Sequence, residues 1–201
     1  MTSVSNKQIS KPFRANRPNW LQWLGRTLLS IWGWKVLGSI KEEYGDENLV
    51  IVVAPHTSNW DGILGMAALA GLDARIAFFG KHTVFRYFGL GAFLRYMGGI
   101  PVDRSNPGGI MADAIQQIKD IEFSLIAMAP EGTRSKVSEW KTGFLRISEA
   151  IDAKIIPVSL DFSKKEILLG DIFNLSGNKE EDLKDLKNYF SAFTPKHPEN
   201  F

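Results

Sequence analysis

From residue 49 onward, short runs of β-branched and aromatic residues alternate with segments whose apolar positions recur at helical spacing. The runs at 49–54, 74–79, 100–102, 124–129, 155–161 and 166–169 predict strands. The segments at 61–70, 84–97, 107–121, 142–151 and 180–193 predict helices. Such alternation predicts an α/β fold with a mixed, mostly parallel sheet flanked by helices. Upstream the pattern differs. Residues 1–19 are polar, carry Pro12 and Pro18, and read as a flexible arm without the apolar core or cleavage site of a secretory signal. Pro18 fits the start of a helix at Asn19 or Trp20. Over residues 20–37, Gln22, Arg26, Ser30 and Gly33 fall in one narrow polar stripe, so this N-terminal helical segment is amphipathic with a wide apolar face. Residues 195–201 read as a frayed tail.

That wide apolar face has two readings: a helix lying in a membrane interface, or an ordinary helix packed on the domain. A span across a bilayer needs roughly 20 predominantly apolar residues. Arg26 and Lys35 interrupt this run, and Gly25, Gly33 and Gly38 weaken it. Charge favours the interfacial reading. The chain as a whole is only +2. Residues 1–40, however, hold Lys7, Lys11, Arg14, Arg17, Arg26 and Lys35 and no acid, so they carry +6 and the remainder −4. Trp20, Trp23, Trp32 and Trp34 lie in that same basic stretch. Cations interleaved with tryptophan suit an anionic lipid surface. The weak net charge gives no reason to expect a nucleic-acid partner.

Composition narrows the chemistry further. The 201 residues contain no cysteine, which excludes thiol nucleophiles, disulfides and Cys-based metal sites. His56, His82 and His197 are scattered, so no metal site is expected.

In a parallel sheet, ligands gather where loops leave the carboxyl ends of the strands. The predicted strands are followed by Pro-His-Thr-Ser-Asn-Trp-Asp (55–61), Gly-Lys-His-Thr (80–83), Asp-Arg-Ser (103–105) and Pro-Glu-Gly-Thr-Arg-Ser (130–135). His56 suits a general base near neutral pH, and Asp61 stands close enough in sequence to fold back and orient the ring. The plainer reading is a capping aspartate beside an unrelated loop histidine, and spacing alone leaves both open. Ser58 lacks a G-x-S-x-G elbow and reads, with Thr57, as a turn or cap residue. Gly132 permits close backbone approach, and Arg134, Arg104 and Lys81 supply cations for an anion such as phosphate. Gly89-Leu-Gly91 lacks the third glycine of a dinucleotide fingerprint.

Taken in order, these loops resemble the four sequence blocks of the glycerolipid acyltransferases, which include lysophosphatidic acid acyltransferases. His56 to Asp61 resembles the H-x-x-x-x-D block. Residues 98–104 (Gly-Gly-Ile-Pro-Val-Asp-Arg) resemble the second, 130–135 the third, and 155–159 (Ile-Ile-Pro-Val-Ser) the fourth. Residues 80–86 and 140–144 suggest a compact bacterial branch. Ala129 departs from the pattern, standing where many members carry an aromatic residue.

The resemblance implies transfer of a fatty acyl group from a thioester, acyl-CoA or acyl-carrier protein, to the hydroxyl of a lysophospholipid such as 1-acylglycerol-3-phosphate. No cofactor is implied beyond that co-substrate. His56 would be the general base, Asp61 its orienting carboxylate, and Arg104, Glu131, Gly132, Thr133 and Arg134 the acceptor site, with Lys81 at its margin. The oxyanion needs donors, for which a backbone N–H near Gly132 or a neighbouring loop is expected. Residues 1–40 would form a basic arm and interfacial helix, residues 41–201 the acyltransferase domain. The enzyme would sit peripherally or monotopically on the cytoplasmic face of the inner membrane. The rival expectations are a thioesterase, in which water replaces the acceptor, an acyltransferase for another lipid, and a non-catalytic lipid-binding module.

Overall fold

Strands rich in Val, Ile and Leu build the centre of the structure, a computed structural model that describes residues 3–102, 116 and 125–201. In chain order the strands are β1 (Lys35–Gly38), β2 (Asn48–Ala54), β3 (Ala77–Lys81), β4 (Gly99–Val102), β5 (Leu125–Met128), β6 (Ala153–Asp161) and β7 (Glu166–Leu169). The helices are α1 (Asn19–Ile31), α2 (Asn59–Leu72), α3 (Leu90–Tyr96), α4 (Gly143–Ala150) and α5 (Lys179–Phe190). Among the described residues, the strands form one sheet in the order β1-β7-β6-β2-β5-β3-β4. All neighbours pair parallel except β6 and β7, which form an antiparallel pair. The sheet is thus mixed and mostly parallel, as the alternation of elements predicts.

The two faces of β2 show why. Leu49 and Ile51 point into a core completed by Leu29 of α1 and by Leu64, Ala68 and Leu72 of α2. Val50, Val52 and Ala54 point the other way, against Phe144 and Ile147 of α4 and Leu186 of α5. A central parallel strand buried on both faces has no solvent side, so its sequence reads as continuously apolar. Because β2, β3, β4, β5 and β6 run parallel, their carboxyl ends share one edge, and the loops after them meet there.

Several expectations need correction. Residues 3–18 are not a flexible arm: Val4, Ile9 and Phe13 are buried in the same core as β2 and α2. Arg17 is buried too, donating from its backbone N–H to Asp73 Oδ1 (2.9 Å) and from Nη1 to the Ala74 carbonyl (2.7 Å). The apolar run of 20–37 does not stay helical. Gly33, at φ +76, turns the chain, and residues 35–38 become β1, an edge strand paired with β7. The core therefore runs without a break across the expected division at residues 40 and 41.

The segment 84–97 is not one helix either. A 3-10 turn at His82–Arg86 and α3 are separated at Gly89, whose φ is +74. The tail 195–201 is held: the His197 N–H donates to Thr57 Oγ1 (3.2 Å), and the Phe201 ring lies 6.4 Å from Trp140. The helix expected at 107–121 falls outside the described residues apart from the helical Gln116.

The first half of the polar stripe, Gln22 and Arg26, faces inward, while Ser30 and Gly33 are exposed. Gln22 Nε2 donates to the Arg17 carbonyl (2.8 Å), and Arg26 Nε to the Gly71 carbonyl of α2 (2.8 Å). Gly25 lets the two helices touch: a Cβ there would lie 2.5 Å from the Ala67 carbonyl oxygen. Trp20, Trp23 and Ile31 consequently point outward and are exposed. No described helix is long and apolar enough to cross a membrane.

Candidate active site

The loop after β2 folds back on its own helix. Pro55 follows Ala54 through a cis peptide bond, and Ser58 caps α2 with Asp61 at the third helical position, forming a capping box. Asp61 Oδ2 accepts the backbone N–H groups of Thr57 and Ser58, each at 2.7 Å, and Oδ1 accepts the Ser58 hydroxyl at 2.9 Å. The fourth neighbour is the His56 ring, whose Nδ1 stands 3.2 Å from Oδ2. Burial pushes the Asp61 carboxyl upward, but the His56 ring and the Ser58 backbone and hydroxyl outweigh it and hold the group below the usual carboxylate range. Its place at a helix N-terminus favours the same charged form.

The two sequence readings of Asp61 meet in one geometry, a helix cap set beside an imidazole. It caps the helix, and because it caps the helix it is fixed where it faces an imidazole. With Nδ1 turned to the carboxylate, Nε2 is the ring nitrogen left to accept a proton, on a side chain about a quarter exposed (26%). Ser58 is 6% exposed and its hydroxyl is committed to Asp61, which fits a cap residue and not a nucleophile.

Glu131 enters from the loop after β5. It is buried, and its Oε1 accepts the His56 backbone N–H at 3.0 Å. Oε2 has no partner among the described residues. Burial raises its pKa, against the opposing pull of the His56 backbone N–H. Glu131 thus fixes the main chain of His56, while Asp61 faces its ring.

The same loop turns at Gly132, whose φ is +64. A Cβ there would lie 2.8 Å from Lys141 Cδ, so the lysine stem crosses directly over the turn. The Gly132 N–H already donates to the Ala129 carbonyl (3.1 Å), so it is not the free oxyanion donor expected there. Thr133 and Arg134 are exposed, and Arg134 Nη1 donates to Asn59 Oδ1 at the start of α2. Lys81 ends β3 at the same sheet edge and is exposed, and among the described residues no hydrogen bond or ion pair joins it to His56, Asp61 or Glu131. Arg104 lies outside the described residues.

The structure thus brings together His56, Asp61, Glu131, Gly132 and Arg134. Sequence reasoning missed Asn59 and Lys141, which meet the Gly132–Arg134 turn from two sides. The Trp-Lys-Thr-Gly-Phe stretch at 140–144, which the family resemblance singles out, was the available signal for Lys141. Among the described residues, no three His, Asp or Glu side chains gather as a metal site would require.

Comparison with known proteins bears on this geometry. A family model described as Acyltransferase matches residues 37–161. A 1-acyl-sn-glycerol-3-phosphate acyltransferase of Streptococcus pneumoniae is 28% identical over 145 residues, 71% of this chain and 53% of that protein. One of Bacillus subtilis is 29% identical over 122 residues, 58% of this chain and 60% of that protein. The chain thus spans 53% and 60% of the curated relatives' own lengths. The crystal structure of the 1-acyl-sn-glycerophosphate (LPA) acyltransferase PlsC from Thermotoga maritima matches with a TM-score of 0.62 and 21% identity, covering 86% of this chain and 76% of that one. At that identity the match establishes the fold.

Proposed function

The chain belongs to the Acyltransferase family, whose model spans residues 37–161, and from that premise we propose that it transfers a fatty acyl group from acyl-CoA or acyl-carrier protein to the hydroxyl of a lysophospholipid, 1-acylglycerol-3-phosphate. The observation that carries this reading is the His56 ring, 3.2 Å from a carboxylate already fixed by three other donors. His56 Nε2 removes the acceptor hydroxyl proton as that oxygen attacks the thioester carbonyl. The tetrahedral intermediate collapses, the C–S bond breaks, and the thiolate leaves with the proton returned by the imidazolium. Asp61 stays ionised and stabilises the imidazolium, the task its lowered pKa suits. Arg134 and Lys141 stand where they can meet the acceptor phosphate.

A soluble thioester and a lipid acceptor meet only at an interface. The outward Trp20 and Trp23 of α1, with the exposed Lys7, Lys11 and Lys35 elsewhere in residues 1–40, support peripheral docking on the cytoplasmic face of a membrane, while Arg17 and Arg26 are turned into the domain. The test is His56→Ala, assayed with labelled acyl-CoA and acyl-carrier protein, with and without lysophosphatidic acid. Transfer should fall by about 10²–10⁴ while the circular dichroism spectrum stays unchanged. Full transfer in this variant would refute the mechanism, and release of free fatty acid without acceptor in the unmodified protein would establish a thioesterase instead.

A further inference from the structure

Residues 82–96 form a hairpin whose outward side is the most apolar exposed surface of the described chain. It leaves β3 through the 3-10 turn at His82–Arg86 and returns along α3 to β4. Its inner side is firmly held. Phe85 is buried: a Cβ at Gly80 or Gly99 would come within 3 Å of its ring, and one at Gly91 would strike its backbone carbonyl, so these glycines let the chain close around this residue. Arg95 adds its guanidinium over the same ring, 5.3 Å from the centroid. The outer side carries Tyr87, Phe88, Leu90, Phe93 and Tyr96, all exposed, with Phe88 wholly so (106%). Anchoring a hairpin this carefully while turning its aromatics outward is costly in water, and a soluble surface offers no return for it.

Position and charge indicate what covers it. α3 lies on the same sheet face as α1: Met97, just after α3, packs with Leu21 of α1, and Arg17 Nη2 reaches the Met97 carbonyl (3.3 Å). Leu21 and Met97 are thus shared packing beneath α1 and the hairpin, and their chain neighbours Trp20 and Tyr96 are both exposed. All but Leu37 and Leu175 of the exposed large apolar side chains among the described residues lie on α1, on the first turns of α2, or in this hairpin. Between residues 74 and 102 the chain has Arg75, Lys81, Arg86 and Arg95 and no acid. Aromatics beside the exposed Lys81 and Arg86 match an anionic lipid surface, with the rings among the upper acyl chains and the cations at the headgroups.

We propose that the 82–96 hairpin is a second membrane-inserting element, separate from α1, with Phe88 at its tip. Two points of contact set the tilt of the domain on the lipid, which one helix alone does not. The hairpin also starts at the carboxyl end of β3, the strand next to the one that delivers Glu131. Insertion there holds the edge bearing His56 close to the headgroups. The inference extends the interfacial reading of α1 but is read out by binding alone, independently of catalysis.

The lack of cysteine makes the test direct. Phe88→Cys, Trp23→Cys and Leu175→Cys are each labelled with an environment-sensitive nitrobenzoxadiazole dye and mixed with phosphatidylcholine–phosphatidylglycerol vesicles. The label at position 88 should shift to the blue and brighten on adding vesicles, as at 23, while the label at 175 stays aqueous. In parallel, Phe88→Glu should weaken vesicle flotation by about tenfold or more without changing the thermal melt, since this side chain is wholly exposed. An aqueous signal at 88 on vesicles that shift the label at 23 would overturn the proposal, leaving α1 as the contact. Flotation of Phe88→Glu equal to that of the unmodified chain would overturn it as well. So would a blue-shifted label at 88 before lipid is added, together with a dimer in solution, because a second copy would then cover the patch.

Discussion

Replacing Asp61 by Asn separates the two duties this residue performs. The amide oxygen can take the place of Oδ2 and accept from Thr57 and Ser58, and the Ser58 hydroxyl can reverse to accept from the new NH₂. The cap survives but the charge does not. For a protonated His56 at 3.2 Å, Coulomb's law with an effective dielectric of about 20 gives about 5 kcal/mol of attraction. The imidazole is 26% exposed, and solvent reduces this to about 3–4 kcal/mol. That attraction exists only once the ring has taken a proton, so its loss falls on the barrier and lowers kcat by about 10²–10³ with little change in KM. Stability should fall by about 1–3 kcal/mol above pH 5, as three charge-assisted bonds become neutral and the helix loses an N-terminal anion. The sign with pH is definite. Asp61 titrates lower in the folded chain than in the unfolded one, so its contribution is complete above about pH 4 and disappears as pH falls through the folded value. Steady-state transfer assays and urea unfolding across pH 3–8 measure both. A kcat within about threefold of the unmodified enzyme, well short of the Coulomb estimate, would refute the electrostatic role.

Glu131 titrates in the opposite sense. Its pKa is raised by burial, so it costs stability as pH rises above its unfolded value, and Glu131→Gln should remove that pH-dependent penalty in urea melts between pH 4 and 8 while keeping an oxygen for the His56 N–H. Glu131→Ala leaves that N–H without its partner and should cost about 1–3 kcal/mol together with most of the transfer activity, as measured by the same melts and assay. At the α1–α2 contact, Gly25→Ala drives a methyl to 2.5 Å from the Ala67 carbonyl and should destabilise by about 1–3 kcal/mol, seen as a lowered midpoint of thermal unfolding.

The parts legible in the sequence share a physical trait: their signal is local. The central strands are continuous apolar runs because both faces are covered, and the site loops follow them because parallel strands end at one edge. The unread parts depend on distant partners. Val4, Ile9 and Phe13 are isolated apolar residues in a polar stretch, and nothing local shows that they insert beside β2 and α2. Residues 35–38 look like the end of a helix until β7 is present to pair with them. The stripe of Gln22 and Arg26 gives the period of α1 but not which side faces in, which Gly25 and the free carbonyl of Gly71 decide. For the same reason the spacing of His56 and Asp61 could not separate cap from catalytic partner, since one geometry serves both. The buried tie of residues 3–18 also means that removing residues 1–40 would take away core as well as the exposed tryptophans of α1. Substitution at Trp20 and Trp23 is the cleaner perturbation.

The edge strand β1 has a consequence for biosynthesis. Lys35 pairs with Glu166 and Gly38 with Leu169, while β7 is the sole strand beside β1 among the described residues. β2 to β6 all lie between β1 and β7 in the chain, so this edge pairing forms only after the strands between them have been made. α1 does not share that delay, because its partner α2 follows directly after β2, while β1 waits for its neighbour.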